Sequence, residues 1–126
     1  MTFTYKEAIV VIAANNSHDL IYFYRQLLNQ CPTVDIPNIY AEFQLQGLRL
    51  GIFQPKKEHE PEFDDSRRSS ISICLEVQNL NDAIAHLTKI GYPPSGKIIN
   101  SSHGKEIYAY DPQGNRLIVH QSHQTD

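Results

Sequence analysis

His120, Glu76, Cys74 and Glu106 are the side chains of this sequence best suited to moving a proton or holding a metal, and Arg49 and Arg116 those best suited to gripping an anion. A histidine close to a carboxylate can act as a base near neutral pH, which makes His120 the candidate catalytic residue; a hydrogen-bonded wall residue is the plainer reading. Together with Cys74, Glu76 and Glu106, the same imidazole could complete a metal site. Each guanidinium could clasp an anionic ligand through two parallel N–H groups, or could pair with Glu42, Glu76 or Glu106. His59, between Glu58 and Glu60, reads as solvated charge rather than a metal clip. Cys31 and Cys74 lack CxxC spacing, and no GxSxG, P-loop or GxGxxG motif occurs.

These side chains can meet only if strands carry them to one face, and the apolar pattern supplies such strands. Ala8 to Ala13 is a β-branched run of strand length, followed by Asn16 as a helix cap. Leu20, Phe23, Tyr24, Leu27 and Leu28 then fall on one helical stripe, which Cys31-Pro32 is expected to end. A short strand near 33–36 and two alternating strands over 39–46 and 48–53, turned at Gly47, complete the first half. The second half repeats the plan. Ile71 to Val77 alternates, Asn79 caps a helix with Leu80, Ala83, Ile84 and Leu87 on its buried stripe, and Gly91 with Pro93-Pro94 stops it. Strands are predicted near 97–100, 105–111 and 116–121, with Pro112-Gln113-Gly114 as the last turn. A shift of 63 positions carries Asn16 onto Asn79, so the two helices play one role twice.

Alternation then sorts the faces. With Ala41, Phe43, Leu45, Leu48, Leu50, Ile52, Ile73, Leu75, Val77, Ile107, Ala109, Leu117 and Val119 turned to the helices, the opposite faces carry the ligand-binding candidates. These are Tyr40, Glu42, Arg49 and Phe53 in the first half, and Cys74, Glu76, Glu106, Tyr108, Arg116 and His120 in the second. Aromatic rings among paired charges suit a small, flat, partly charged organic molecule.

The 126 residues suit one domain, with module one over about 5–54, a charged, proline-rich connector over about 55–70, and module two over about 71–121. The connector has no apolar period and is expected to be solvated. A formal charge of -3 argues against nucleic acid as a partner. No apolar run is long enough to cross a bilayer and no secretion signal opens the chain, so a cytoplasmic protein with free thiols and no membrane partner is expected.

Asp111-Pro112-Gln113-Gly114-Asn115-Arg116-Leu117 resembles the DPxGN turn before the last strand of the vicinal oxygen chelate superfamily, which includes glyoxalase I, bleomycin-resistance proteins and extradiol dioxygenases. Phe23-Tyr24-Arg25-Gln26-Leu27-Leu28 is similar to the first-helix FYxxxLG pattern of that superfamily, with Asn29 in place of the glycine. The resemblance runs from about Ala8 to Gln121. It implies an α+β fold of two βαβββ modules, whose curved, mostly antiparallel sheet forms a cup with helices on the outer face. In the metal enzymes of this kind, the first and last strands of each half supply the ligands. Carried over, those positions fall on Ile9, Gly51, Ser72 and Ile118, which imply no metal and no cofactor. What remains is a metal-free protein that sequesters or presents a small organic ligand. The alternative is a lyase or dioxygenase-like enzyme using a relocated metal, or His120 as acid and base. Chains of this kind commonly form homodimers, sometimes by exchanging halves.

Overall fold

The structure, a computed structural model, describes residues 3–4, 6–64 and 69–123. Residue 5, where module one was expected to begin, and connector residues 65–68 lie outside them. Contacts divide the chain into two compact units, Met1–Asp64 and Asp65–Asp126.

In unit 1 the chain runs β1 (Val10–Ala13), α1 (Ser17–Leu28), β2 (Val34–Ile36), β3 (Tyr40–Leu45) and β4 (Leu48–Phe53), with strand order β1-β4-β3-β2. β1 lies parallel to β4, and the other neighbours are antiparallel. Asn16 caps α1 by accepting the Asp19 N–H, as its side chain predicts. The stripe of Leu20, Phe23 and Tyr24 is buried together with Ala41, Phe43, Leu50 and Ile52, and the Tyr24 and Phe43 rings lie 6.4 Å apart. Burying one such side chain stabilises by about 1.5–3 kcal/mol, so this stripe fixes which sheet face meets the helix.

One boundary differs from expectation. Cys31-Pro32 does not end α1; the helix stops at Leu28, because Asn29 turns left-handed at φ 52° and ψ 47°. Asparagine tolerates that region better than other residues with a side chain, which lets it serve where a glycine usually sits.

Unit 2 repeats the order as β5 (Ser72–Glu76), α2 (Leu80–Lys89), β6 (Ile99–Ser101), β7 (Gly104–Tyr110) and β8 (Arg116–Ser122), arranged β5-β8-β7-β6. β5 is parallel to β8, matching β1 and β4. Asn79 caps α2 through the Asp82 N–H, and the amide oxygen of Gln121 on β8 accepts the Leu80 N–H at 2.7 Å. Leu80 and Leu87 are buried with Ile107, Ala109, Leu117 and Val119, while Ala83 and Ile84 are half-buried. β6 begins at Ile99 rather than near Lys97, where only its pairing with β7 defines it. The fold class is therefore α+β, with two βαβββ sheets that each pack one face on a helix.

The connector also departs from a plain solvated tether. A 3-10 helix spans Lys57–Phe63, and its last residue sets Phe63 edge-on against Phe53 at 5.2 Å. Lys57, Glu58 and His59 nonetheless stay exposed.

Candidate functional site

On the helix-free face of unit 1, Tyr40, Glu42 and Arg49 form one hydrogen-bonded cluster. Arg49 donates from Nε to Glu42 Oε2 and from Nη2 to Glu42 Oε1, both at 3.1 Å, and its Nη1 bonds Glu7. The Tyr40 hydroxyl donates to Glu42 Oε1 at 2.7 Å. The Arg49 guanidinium, and then the Tyr40 hydroxyl, hold the Glu42 carboxyl below its usual range. Burial, followed by the bond to Glu42, pushes the Tyr40 phenol up. Arg49 thus spends its fork on an internal partner, the plainer of the two sequence readings. Glu7, in coil before β1, was not among the candidates, since no periodicity marks it.

Phe53 shares that face but points its chemistry elsewhere. With Ile39, Tyr40 and Phe63 it lines an open groove of about 710 Å³, rimmed by Lys56, His59 and Glu62. No alternating pattern could foretell this groove, because it depends on the 3-10 helix folding back onto β4.

In unit 2, Glu76, His120 and Ser122 come together. His120 Nδ1 lies 2.7 Å from Glu76 Oε1, and Glu76 Oε2 accepts both the backbone N–H and the hydroxyl of Ser122, at 2.8 and 2.9 Å. The bond from His120, then that from the Ser122 backbone, holds Glu76 below the usual carboxylate range. With its Nδ1–H donated to the carboxylate, a neutral His120 would present Nε2 as an acceptor, the orienting arrangement a general base needs. Glu106 sits opposite His120 in the ladder, and Tyr108 opposite Ile118. Loss of surrounding water, then the charges of Glu76 and Glu106, push the Cys74 thiol up, so it is not an activated nucleophile. Arg116 donates from Nη1 to Ser72 Oγ at 3.0 Å and to the Ser69 carbonyl at 3.2 Å.

The metal positions that the resemblance implies do not fit a metal here. Ile9 and Ile118 offer hydrocarbon. A Cβ on Gly51 would lie 2.7 Å from the Tyr40 hydroxyl and 2.9 Å from Val11 Cγ1, so a liganding side chain there would first have to displace Tyr40 and Val11. Ser72 already accepts from a guanidinium, whose charge repels a dication. The relocated set does not form either: among the described residues no three His, Cys, Asp or Glu side chains converge as a metal would require, which separates Cys74, Glu76, Glu106 and His120 as ligands.

The two lowered carboxylates make stability depend on pH. Because the folded state holds the Glu42 and Glu76 carboxyls below the ordinary glutamate range, the unfolded chain takes up their protons more readily. Their stabilisation is complete at neutral pH and is lost as pH falls through the ordinary glutamate range and then through the lowered folded-state values. Urea midpoints are expected to drop between about pH 6 and about pH 3, and Glu76→Gln should flatten that slope. A slope unaltered by the substitution would contradict the geometry of this cluster.

No protein-family model matches the sequence, and no curated protein matches it. Solved structures do match its fold. A glyoxalase/bleomycin resistance protein from Catenulispora acidiphila has 19% identity and a TM-score of 0.68, over 92% of this chain and 97% of that one. A glyoxalase-related enzyme from Fulvimarina pelagi reaches a TM-score of 0.75 at 17% identity, over 93% and 88%. A bleomycin resistance determinant encoded on the transposon Tn5 has a TM-score of 0.69 at 16% identity, over 95% and 100%. Taken with the doubled βαβββ order, these likenesses show that the chain has the fold of the glyoxalase and bleomycin-resistance structures.

Proposed function

We propose that this chain is a metal-independent small-molecule-binding protein of the glyoxalase and bleomycin-resistance type, which sequesters or presents a small organic ligand on the helix-free faces of its sheets. The observation that carries this reading is the occupation of the family's metal positions by hydrocarbon, by the Tyr40 ring over Gly51 and by the Arg116 guanidinium on Ser72. The fold is kept while the ion-binding chemistry is replaced, and the exposed rings of Tyr108 and Tyr110 offer flat contact surface. We further propose that the protein is cytoplasmic and that it forms a homodimer, the dimer alone being supported by the exposed apolar side chains of Val11 and Ile71, 53% and 75% accessible.

Elemental analysis of protein purified without chelator should find no stoichiometric metal. A thermal-shift screen of flat organic molecules should give hits that raise the melting temperature with ligand concentration. One zinc, nickel or iron per chain would refute the proposal, and solution mass measurement decides the dimer.

A further inference from the structure

The internal repeat supplies a control for one charged group. The shift that aligns the helices carries Val11 onto Cys74. Val11 pairs with Gly51 in unit 1, and Cys74 pairs with Ile118 in unit 2, so Gly51 and Ile118 are equivalent. Two residues earlier on the same strands, Arg49 and Arg116 are equivalent as well. Across the ladder from Gly51 stands Glu42, whereas across from Ile118 stands Tyr108. Unit 2 therefore keeps the arginine and replaces its carboxylate with a phenol.

The consequence shows in the hydrogen bonds. Arg49 fills its Nε and Nη2 edge with the two oxygens of Glu42. Arg116 is braced from its Nη1 end by Ser72 Oγ and the Ser69 carbonyl, and its Nε and Nη2 edge has no acceptor among the described residues. The side chain is half-buried, and Tyr110 lies beside it in the ladder. A partly desolvated guanidinium with an open fork is a strong receptor for a planar, two-oxygen anion.

We propose that Arg116 receives the carboxylate of a small organic acid with a flat apolar body. The ligand's two oxygens take the place on Arg116 that Glu42 takes on Arg49. Ser72 fixes the guanidinium, and Tyr108, 39% exposed, with Ile118 gives the adjoining surface for the flat body. The proposal rests on the small-molecule-binding reading above and names the chemistry of its ligand.

Benzoate and its neutral isostere benzamide are suitable probes, titrated into the full chain and followed by NMR. Benzoate is expected to bind with Kd in about the millimolar range, at least about tenfold tighter than benzamide. Arg116→Gln should erase that preference. Tyr108→Glu should install the partner that unit 1 already has, leaving a folded protein that no longer takes benzoate. Equal affinity for the two probes, no benzoate binding, or benzoate binding unchanged in both variants would overturn the assignment. If other neutral flat molecules still bound, the small-molecule reading would survive that failure; stoichiometric metal would instead remove the reading itself.

Discussion

Gly104→Ala is expected to destabilise unit 2 by more than about 3 kcal/mol, lowering the thermal midpoint by on the order of 10 °C. A Cβ at this position would lie 2.2 Å from the backbone oxygen of Gln121 and 3.0 Å from Ser122 Cα, and the φ of 149° is one that side-chain-bearing residues rarely adopt. Backbone atoms cannot step aside as a flexible side chain can, so β7 and β8 would have to part where Gly104 pairs with Ser122. That end of β8 does more than pair. Gln121 caps the first turn of α2, and Ser122 holds the carboxylate that orients His120. The damage should therefore reach the helix cap and the Glu76–His120 pair together. Gly96→Ala is the control, because a Cβ there meets nothing within 4 Å. If the two variants melted alike, the pairing of Gly104 with Ser122 would be wrong.

The strands and their faces were legible because burial imposes a period of two that the sequence must carry. Ala41 and Phe43, Leu50 and Ile52, and Leu117 and Val119 alternate so cleanly that the helix-facing side follows from their types alone. Both N-caps were readable for a similar reason, since Asn16 and Asn79 each satisfy a local N–H. The end of α1 was not, because two stop signals stood close together and the nearer one, Asn29, works only through a backbone angle that no side chain announces. The 3-10 helix of the connector was equally hidden, for a short run with three residues per turn leaves no amphipathic stripe to find.

The sheet faces that carry the candidate residues were legible, but the hydrogen-bonded states of those residues were not. Alternation places Arg49 and Arg116 on equivalent faces and says nothing of which fork is filled. That depends on Glu42 standing across from Gly51 where unit 2 has Tyr108, while Glu7 and Ser69 take the Nη1 ends of Arg49 and Arg116. Two arginines with one sequence description thus differ in chemistry: the first belongs to a closed ion-pair cluster, the second offers an open edge. If Arg116 takes a carboxylate as proposed, stability and recognition are divided between the two units at this position.

Asp111→Ala is the companion perturbation at the other end of the same hairpin, with an expected cost of about 2–4 kcal/mol in urea denaturation. Asp111 is only 4% exposed, and its Oδ1 accepts the backbone N–H groups of Gln113 and Asn115, both at 2.9 Å. The Asn115 amide adds bonds of 3.2 and 3.0 Å to its two oxygens. Alanine would take the acceptor from those half-buried donors, and a hydrogen bond to a charged group contributes about 1.5–3 kcal/mol. Asp111→Asn keeps Oδ1 but turns a donor toward the Asn115 amide, so an intermediate loss is expected. The turn also sets the first pair of the hairpin, Tyr110 with Arg116, and hence the position of the open guanidinium edge. Under conditions where Asp111→Ala stays folded, benzoate affinity should fall as well. A variant that matched the parent in urea midpoint would show that this turn does not hold the β7–β8 hairpin, and the account of how Arg116 is positioned would fall with it.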